Sequence, residues 1–179
     1  MIKLHLGCGW RDFGDDWVHV DGGDYDHLDH DDITKLPYED ESVDLIYASH
    51  VLEYFDREEV LPVLQEWKRV LKSGGVLRIA VPNFEAMAIM YVESRYSLAK
   101  FLGPLYGKMN MGDKAIYHKT TYDFDDLSEM LKSVGVNSVK RYDWRRTEHS
   151  DLDDHSQAYI PHMDKETGVL ISLNIEGVK

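Results

Sequence analysis

The stretch Lys3-Leu4-His5-Leu6-Gly7-Cys8-Gly9 gives the strongest indication of the fold of this 179-residue chain. It is a short apolar run that ends in a Gly-x-Gly turn. A second such run, Val18-His19-Val20, ends in Asp21. In an open parallel sheet, two adjacent strand ends would then present a glycine turn and a carboxylate, where nucleotide ligands bind. Glycine suits the turn because it tolerates positive φ and lets a ligand approach the backbone. Glycine pairs are common in turns, so the interpretation depends on the rest of the chain.

Length and composition limit the class of protein. The chain has 179 residues and 43% hydrophobic residues, which favours one globular domain over residues 1–179. We expect no membrane span and no secretion signal, because no apolar stretch is long enough and the start lacks a basic region. Cys8 is the one cysteine, which excludes an internal disulfide. A cytoplasmic location follows as the expectation.

The charge balance limits the partners. Acidic residues outnumber basic ones by 33 to 20, giving a net charge of −13. Binding to nucleic acid needs a positive surface that displaces counterions from phosphates. We therefore expect a small-molecule substrate, and neither nucleic acid nor a membrane as partner. The sequence carries no pattern that sets an oligomeric state.

Apolar runs and amphipathic stretches alternate along the chain, which predicts an α/β fold. Amphipathic periodicity predicts helices over 56–72, capped by Asp56, over 83–102 and over 124–133. Residues 103–122 are predicted to be a mobile loop that closes over bound ligands. The predicted strands cover residues 2–6, 17–21, 43–48, 76–81, 136–142 and 168–176, with a short one near 25–30.

The first two connections are short. About eight residues separate Gly9 from the second strand, and Asp32 lies only eleven positions after Asp21. A parallel crossover usually needs roughly a dozen residues or more and carries a helix. Both crossovers must therefore be shortened, which would leave that side of the ligand pocket more open.

With these elements in place, the chain resembles a class I S-adenosylmethionine-dependent methyltransferase, and most closely the small type 11 members. The resemblance rests on five segments in the family's order, which together cover nearly the whole length. They are Leu4-His5-Leu6-Gly7-Cys8-Gly9, Asp21, Asp32-Ile33-Thr34-Lys35-Leu36-Pro37-Tyr38, Val43 to Tyr54, and Glu66 to Gly75. The resemblance implies a Rossmann-like, doubly wound, mostly parallel seven-stranded sheet of order 3-2-1-4-5-7-6.

The resemblance also implies S-adenosyl-L-methionine as cofactor and a role for each matching residue. The backbone of Gly7, Cys8 and Gly9 would lie beside the methionine and ribose. Asp21 would accept hydrogen bonds from the ribose hydroxyls. The remaining implied contacts are Asp32 and Ile33 with the adenine, and Ser49 and His50 with the methionyl end.

Some residues depart from the family. The third glycine of the first motif and the usual first helix are missing, and Tyr54 stands where many relatives have histidine. Six of the twelve residues 21–32 are aspartate, so a solvated acidic loop is the alternative interpretation of Asp21 and Asp32. No segment precedes the first strand to cover a substrate, so C-terminal segments are expected to bind it.

Two polar segments are expected to meet at the carboxyl ends of the strands. One is 117–123, and the other is the loop 143–167, which is long for a structureless connection unless it is functional. Methyl transfer to a hydroxyl or amine needs a base, and histidine suits that task near neutral pH. His118 is the first candidate, followed by His149 and His155. The histidines and carboxylates of the loop match no ligand spacing, so we predict no metal site.

The sequence favours a methyltransferase for a small molecule, with a sugar or glycan precursor as acceptor and oxygen or nitrogen as target atom. A second hypothesis is a non-catalytic S-adenosylmethionine-binding protein. A third is a nicotinamide-dependent oxidoreductase. That class favours a third glycine where this chain has Asp12, so the sequence disfavours it.

Overall fold

The structure, a computed structural model, describes residues 1–93, 96–111 and 114–179. Its helices are α1 (Arg57–Val70), α2 (Phe84–Glu93), α3 (Leu102–Tyr106) and α4 (Phe124–Ser133). The strands are β1 (Lys3–Leu6), β2 (Val18–Val20), β3 (Val43–Ser49), β4 (Leu71–Pro82), β5 (Met109–Met111), β6 (Lys114–Ile116), β7 (Asn137–Arg141), β8 (Tyr159–Ile160), β9 (Val169–Leu170) and β10 (Ser172–Val178).

The main sheet is mixed and, within the described residues, has six strands in the order β2-β1-β3-β4-β10-β7. β1 to β4 are parallel, and β10 is antiparallel to both β4 and β7. The predicted seven-stranded sheet is wrong, because the strand expected near 25–30 is reduced to one parallel bridge between Val20 and His30. Aspartate is disfavoured in strands, and this stretch is rich in it.

Helices α1 and α4 cover one face of the sheet and form the main core with it. Trp67 of α1 is fully buried there, beside alternate strand residues such as Leu4, Ile46 and Ile79. The Asp56 side chain accepts from the backbone N–H groups of Glu58 and Glu59, as predicted for the first residue of this helix. These elements set the direction of the parallel strands and hence the edge at which a ligand can bind.

In the described part of the chain, the segments that cover the opposite face contain 3₁₀ turns rather than α-helices, so this face differs from that of the predicted doubly wound arrangement. Its central contacts are aromatic: the ring centroids of His5 and Phe13 lie 3.9 Å apart, and those of Tyr47 and His149 lie 4.1 Å apart. The Tyr47 hydroxyl donates to the Asp154 carboxylate. The segments 10–17 and 142–157 thus occupy the space that helices of full-length crossovers would fill.

Two predicted elements differ in the structure. The helix expected over 83–102 is reduced to α2 and a 3₁₀ turn at Leu98–Lys100, and residues 94–95 lie outside the described residues. α3 lies almost wholly in the segment expected to be a loop. Ser97 has ψ 146°, an extended conformation that interrupts a helix. The expected loop 103–122 contains the antiparallel pair β5–β6, with residues 112–113 outside the described part.

Acid is expected to destabilise the fold through histidines that are buried in neutral form. Burial lowers the pKa of His149 to about 4, and burial also lowers the pKa of His5. Below pH ~6.5 an unfolded histidine binds a proton that folded His149 does not, so stability falls between pH ~6.5 and ~4, by about 3 kcal/mol for His149 alone. Urea unfolding at several pH values measures this loss. The loss of stability on acidification should be smaller in His149→Phe. If the free energy of unfolding of that variant depends on pH as steeply as that of the wild type, His149 does not cause the loss.

Candidate functional site

The glycine turn lies at the carboxyl end of β1 and takes the backbone conformation predicted for it. Gly7 has φ +66° and Gly9 has φ +58°. A Cβ on Gly7 would lie 2.1 Å from Val51 Cγ2, whereas a Cβ on Gly9 would meet nothing within 4 Å. Gly7 is therefore required for packing, and Gly9 faces open space. Between them Cys8 is buried, and this burial raises the pKa of its thiol to about 12.

Asp21 joins the glycine turn to the end of β2. Its carboxylate accepts from the Gly9 N–H at 2.8 Å and from the Gly23 N–H at 2.7 Å. Each carboxylate oxygen has a second lone-pair direction for another donor. The two neighbouring strand ends thus present backbone and a carboxylate together, as expected.

Asp32 and Ile33 lie in the connection that follows. The exposed Asp32 carboxylate accepts from the Thr34 hydroxyl at 2.6 Å and from the Thr34 N–H at 2.8 Å. These hydrogen bonds lower the pKa of Asp32. The Trp67 indole donates to the Ile33 carbonyl at 2.8 Å, which ties the connection to the core. The local structure of Asp32 is thus a side-chain-stabilised turn.

Ser49 and His50 end β3 at the same edge of the sheet. The Ser49 hydroxyl is buried and has no hydrogen-bond partner among the described residues. His50 has φ +55°, which is uncommon for a residue with a Cβ. Its Nε2 lies 3.2 Å from the Ser172 Oγ, and its ring centroid lies 5.2 Å from that of the exposed His155.

Glu53 is a further residue of this edge, and the sequence predicts no role for it. It lies in a 3₁₀ turn at Leu52–Tyr54, and its carboxylate is fully buried. Oε1 lies 3.2 Å from His50 Nδ1 and 3.8 Å from His118 Nε2. The only signal in the sequence is a carboxylate three residues after a histidine, next to an apolar run.

His118 lies on the other side of Glu53. Its Nδ1 is 2.9 Å from the Pro104 carbonyl oxygen, and its ring packs edge-on against Tyr54, with the two centroids 4.7 Å apart. Burial lowers the pKa of His118, and Glu53 opposes that effect. The Lys119 N–H donates to the Glu53 carbonyl oxygen at 2.7 Å, which fixes the segment 117–121 against the turn after β3.

The structure separates the three candidate bases. His118 and His155 lie near His50 at the carboxyl edge. His149 is 2% exposed and packs against Tyr47 on the face of the sheet opposite α1 and α4. Neither of its ring nitrogens has a hydrogen-bond partner among the described residues. The described residues contain no group of three or more histidine, cysteine, aspartate or glutamate side chains placed to hold a metal ion.

The pair β5–β6 extends from this edge toward the loop after β2. A Cβ on Gly22 would lie 3.5 Å from Met111 Cε, so β5 reaches the loop that follows Asp21.

A cavity of about 660 Å³ lies at the opposite, amino edge of the sheet, among Asp40, Arg69 and Lys179. Its lining contains none of the predicted site residues. Strand topology, rather than cavity size, therefore locates the site.

Among the described residues, no helix has the length and apolar character that a bilayer span requires.

Comparison with known proteins supports the interpretation of the carboxyl edge as a nucleoside site. Residues 19–79 match the family described as "Methyltransferase domain". The demethylmenaquinone methyltransferase of Staphylococcus haemolyticus is 30% identical over 126 residues, which are 64% of this chain and 49% of that protein. The chain thus spans about half the length of the curated relatives it matches.

Solved structures agree on the fold. A SAM-dependent methyltransferase from Archaeoglobus fulgidus aligns with a TM-score of 0.60 at 15% identity, over 99% of this chain and 86% of that one. The 1,6-didemethyltoxoflavin-N1-methyltransferase of Burkholderia thailandensis, solved with S-adenosylhomocysteine, aligns with a TM-score of 0.57 at 11% identity over 99% and 70%. The chain is similar to class I S-adenosylmethionine-dependent methyltransferases, in sequence over residues 19–79 and in fold over nearly its whole length. Relative to the sheet that this class implies, the main sheet has one edge strand fewer within the described residues.

The residues at the carboxyl edge of the sheet fit the cofactor of these methyltransferases. S-adenosylmethionine needs close backbone approach and an acceptor for its ribose hydroxyls. Gly9 offers the first because a Cβ there would enter open space. Asp21 offers the second through its remaining lone pairs.

Proposed function

We propose that this chain transfers a methyl group from S-adenosylmethionine to a hydroxyl or amine of a small molecule. The observation that carries the proposal is the Asp21 carboxylate bound to the Gly9 and Gly23 amides at two adjacent strand ends. A glycine turn and an acidic residue at this position of a parallel sheet form a nucleoside site. In this proposal, residues 1–179 form one domain that has this activity and acts in the cytoplasm.

The acceptor class in this proposal is a sugar or glycan precursor. The net charge of −13 disfavours anionic polymers as substrates. Tyr106 and Tyr117, which precede and follow β5–β6, are 60% and 48% exposed, so their rings are available to pack on a sugar ring. A second candidate acceptor is an apolar ring such as the one named for the Staphylococcus relatives. The exposed Leu102 and Met109 on the same segment favour it.

The reaction asks the protein mainly for alignment. When bound, S-adenosylmethionine supplies an activated methyl group on a sulfonium, and the protein must place the acceptor atom in line with it. A hydroxyl or amine must also lose a proton, which calls for a base at the carboxyl edge. His50, His118 and His155 lie there, on three different segments of the chain.

Ligand binding tests the proposal first. S-adenosylmethionine at 100 times its dissociation constant should stabilise the chain by about 2.7 kcal/mol, which is a rise in melting temperature of roughly 5–10 °C for this size. S-adenosylhomocysteine should act similarly and NAD should not. Stabilisation by NAD alone would favour the oxidoreductase hypothesis, and no shift with any of the three would contradict the proposal.

Methyl transfer is the second test. The chain is incubated with S-adenosylmethionine labelled in the methyl group and with sugars, sugar nucleotides, amines and a demethylated quinone. We expect label in a sugar or sugar nucleotide. Label in the quinone alone would select the second acceptor class. Binding without transfer to any acceptor would favour the non-catalytic S-adenosylmethionine-binding hypothesis.

A further inference from the structure

His50 has a strained backbone that neighbouring groups hold in place. Its φ of +55° is disfavoured for a side chain with a Cβ. Its N–H donates to the Ala80 carbonyl oxygen at 2.8 Å, and its side chain contacts Ser172, which pairs with Pro82 at the end of β4. Backbone strain of this kind persists where the surrounding structure enforces it, and it is often found at functional sites.

Glu53 is an unusual side chain for the position it occupies. It is 0% exposed, and neither carboxylate oxygen makes a hydrogen bond of good geometry within the described residues. A buried carboxylate is destabilising unless charged or polar partners compensate it. The compensating groups are two imidazoles, His50 at 3.2 Å and His118 at 3.8 Å. The burial of Glu53 therefore depends on histidines that line the proposed site.

The two histidines differ in which nitrogens remain available. In His118, Nδ1 faces the Pro104 carbonyl and Nε2 faces Glu53, so both nitrogens point at protein groups. In His50, only Nδ1 faces Glu53, while Nε2 lies beside the Ser172 hydroxyl at the strand edge. In the structure the Ser172 hydroxyl donates to Asn174 Oδ1 at 2.8 Å. This hydroxyl can rotate, and an acceptor hydroxyl can replace it as the partner of His50 Nε2.

We propose that Glu53 is a positioning residue that holds the proton of His50 on Nδ1 and leaves His50 Nε2 as the base for the acceptor. This inference rests on the proposed function. In the transfer step, the acceptor oxygen or nitrogen bonds to the methyl carbon as the carbon–sulfur bond breaks, and the sulfonium becomes a neutral thioether. The acceptor proton moves to His50 Nε2. Glu53, whose Oε1 lies 3.2 Å from His50 Nδ1, stabilises the resulting imidazolium.

Nuclear magnetic resonance tests the inference without any substrate. Long-range ¹H–¹⁵N spectra of the labelled chain are recorded at alkaline pH, where imidazoles are neutral, and His50 is assigned by its loss in His50→Gln. We expect the proton on Nδ1 in the wild-type chain and in Glu53→Gln, whose amide oxygen still accepts. In Glu53→Leu it should move to Nε2. A wild-type His50 with its proton on Nε2 overturns the inference, even if a variant fails to fold.

Kinetics supply the second readout once an acceptor is known. Glu53→Gln should lower kcat at least about tenfold because the imidazolium loses its counter-charge, and His50→Ala should lower it about 100-fold or more. The dissociation constant of S-adenosylmethionine should not change in Glu53→Gln. The matched control is Glu58→Gln, the same change on an exposed carboxylate of α1, which should behave as wild type.

The variants also separate this inference from its alternatives. If His118→Ala lowers kcat more than His50→Ala does, His118 is the base and the assignment of His50 is overturned. If Glu53→Gln leaves both kcat and its pH profile unchanged, Glu53 is merely structural. Failure of the wild-type chain to bind S-adenosylmethionine would contradict the proposed function instead, and the proton position on His50 would still be measured independently.

Discussion

Replacing Asp21 with asparagine should lower the affinity of the chain for S-adenosylmethionine about 100-fold, which corresponds to about 2.8 kcal/mol. The carboxylate already accepts from Gly9 and Gly23 and, in the proposed complex, also from the ribose hydroxyls. Hydrogen bonds to a charged group contribute roughly 1.5–3 kcal/mol each. Asparagine keeps one acceptor oxygen and turns an N–H group toward a backbone donor, so the ribose loses its partner and the loop loses one anchor.

Isothermal titration calorimetry with S-adenosylmethionine measures the Asp21→Asn effect directly. Asp24→Asn is the matched control, because Asp24 is an exposed aspartate in the same acidic connection. Each variant loses one aspartate, so the two have the same net charge. The Asp24→Asn control should nevertheless bind S-adenosylmethionine as the wild-type chain does. Equal affinities for Asp21→Asn and the wild type would contradict the ribose assignment. Equal losses in both variants would indicate an effect of net charge alone.

The sequence predicted best those parts of the fold that local chemistry determines. α4 has the predicted bounds, because Asp123 caps its start and Gly135, with φ +89°, follows its end. The strands themselves are predicted well because buried apolar runs are easily recognised. Their order equals the order that the resemblance implies, without its edge strand 3. The missing edge strand depended on an acidic stretch whose pairing is set by tertiary contacts, which periodicity does not contain.

The candidate site divides in the same way. Gly7, Gly9 and Asp21 come from contiguous motifs, and the structure places them together. The contact between Glu53 and His118 joins residues 65 positions apart, so no local pattern could indicate it. His149 shows the converse. The sequence predicts this residue at the site because it lies in a polar loop. The shortened crossovers, however, leave one face of the sheet uncovered. The loop fills that face, and His149 packs there against Phe13 and Tyr47.

The glycine turn allows stability and ligand binding to be separated by two alanine substitutions. Gly7→Ala should destabilise the fold by about 2–5 kcal/mol, since a positive φ costs roughly 1–2 kcal/mol and overpacking adds about 1–3 kcal/mol. The overpacking follows from the 2.1 Å approach to Val51. In Gly9→Ala only the conformational cost applies, because its Cβ meets nothing within 4 Å. That Cβ would instead enter the space proposed for the cofactor.

Thermal and urea unfolding give the stability of each glycine variant, and calorimetry gives its affinity for S-adenosylmethionine. Gly14→Ala is the control for Gly9→Ala, because Gly14 also has positive φ and open space at its Cβ but lies outside the turn. Both should lose about 1–2 kcal/mol of stability. Only Gly9→Ala should lose affinity, by at least about tenfold. If Gly9→Ala binds as tightly as Gly14→Ala, the cofactor does not lie against this turn, and the nucleoside site must be sought elsewhere on the carboxyl edge.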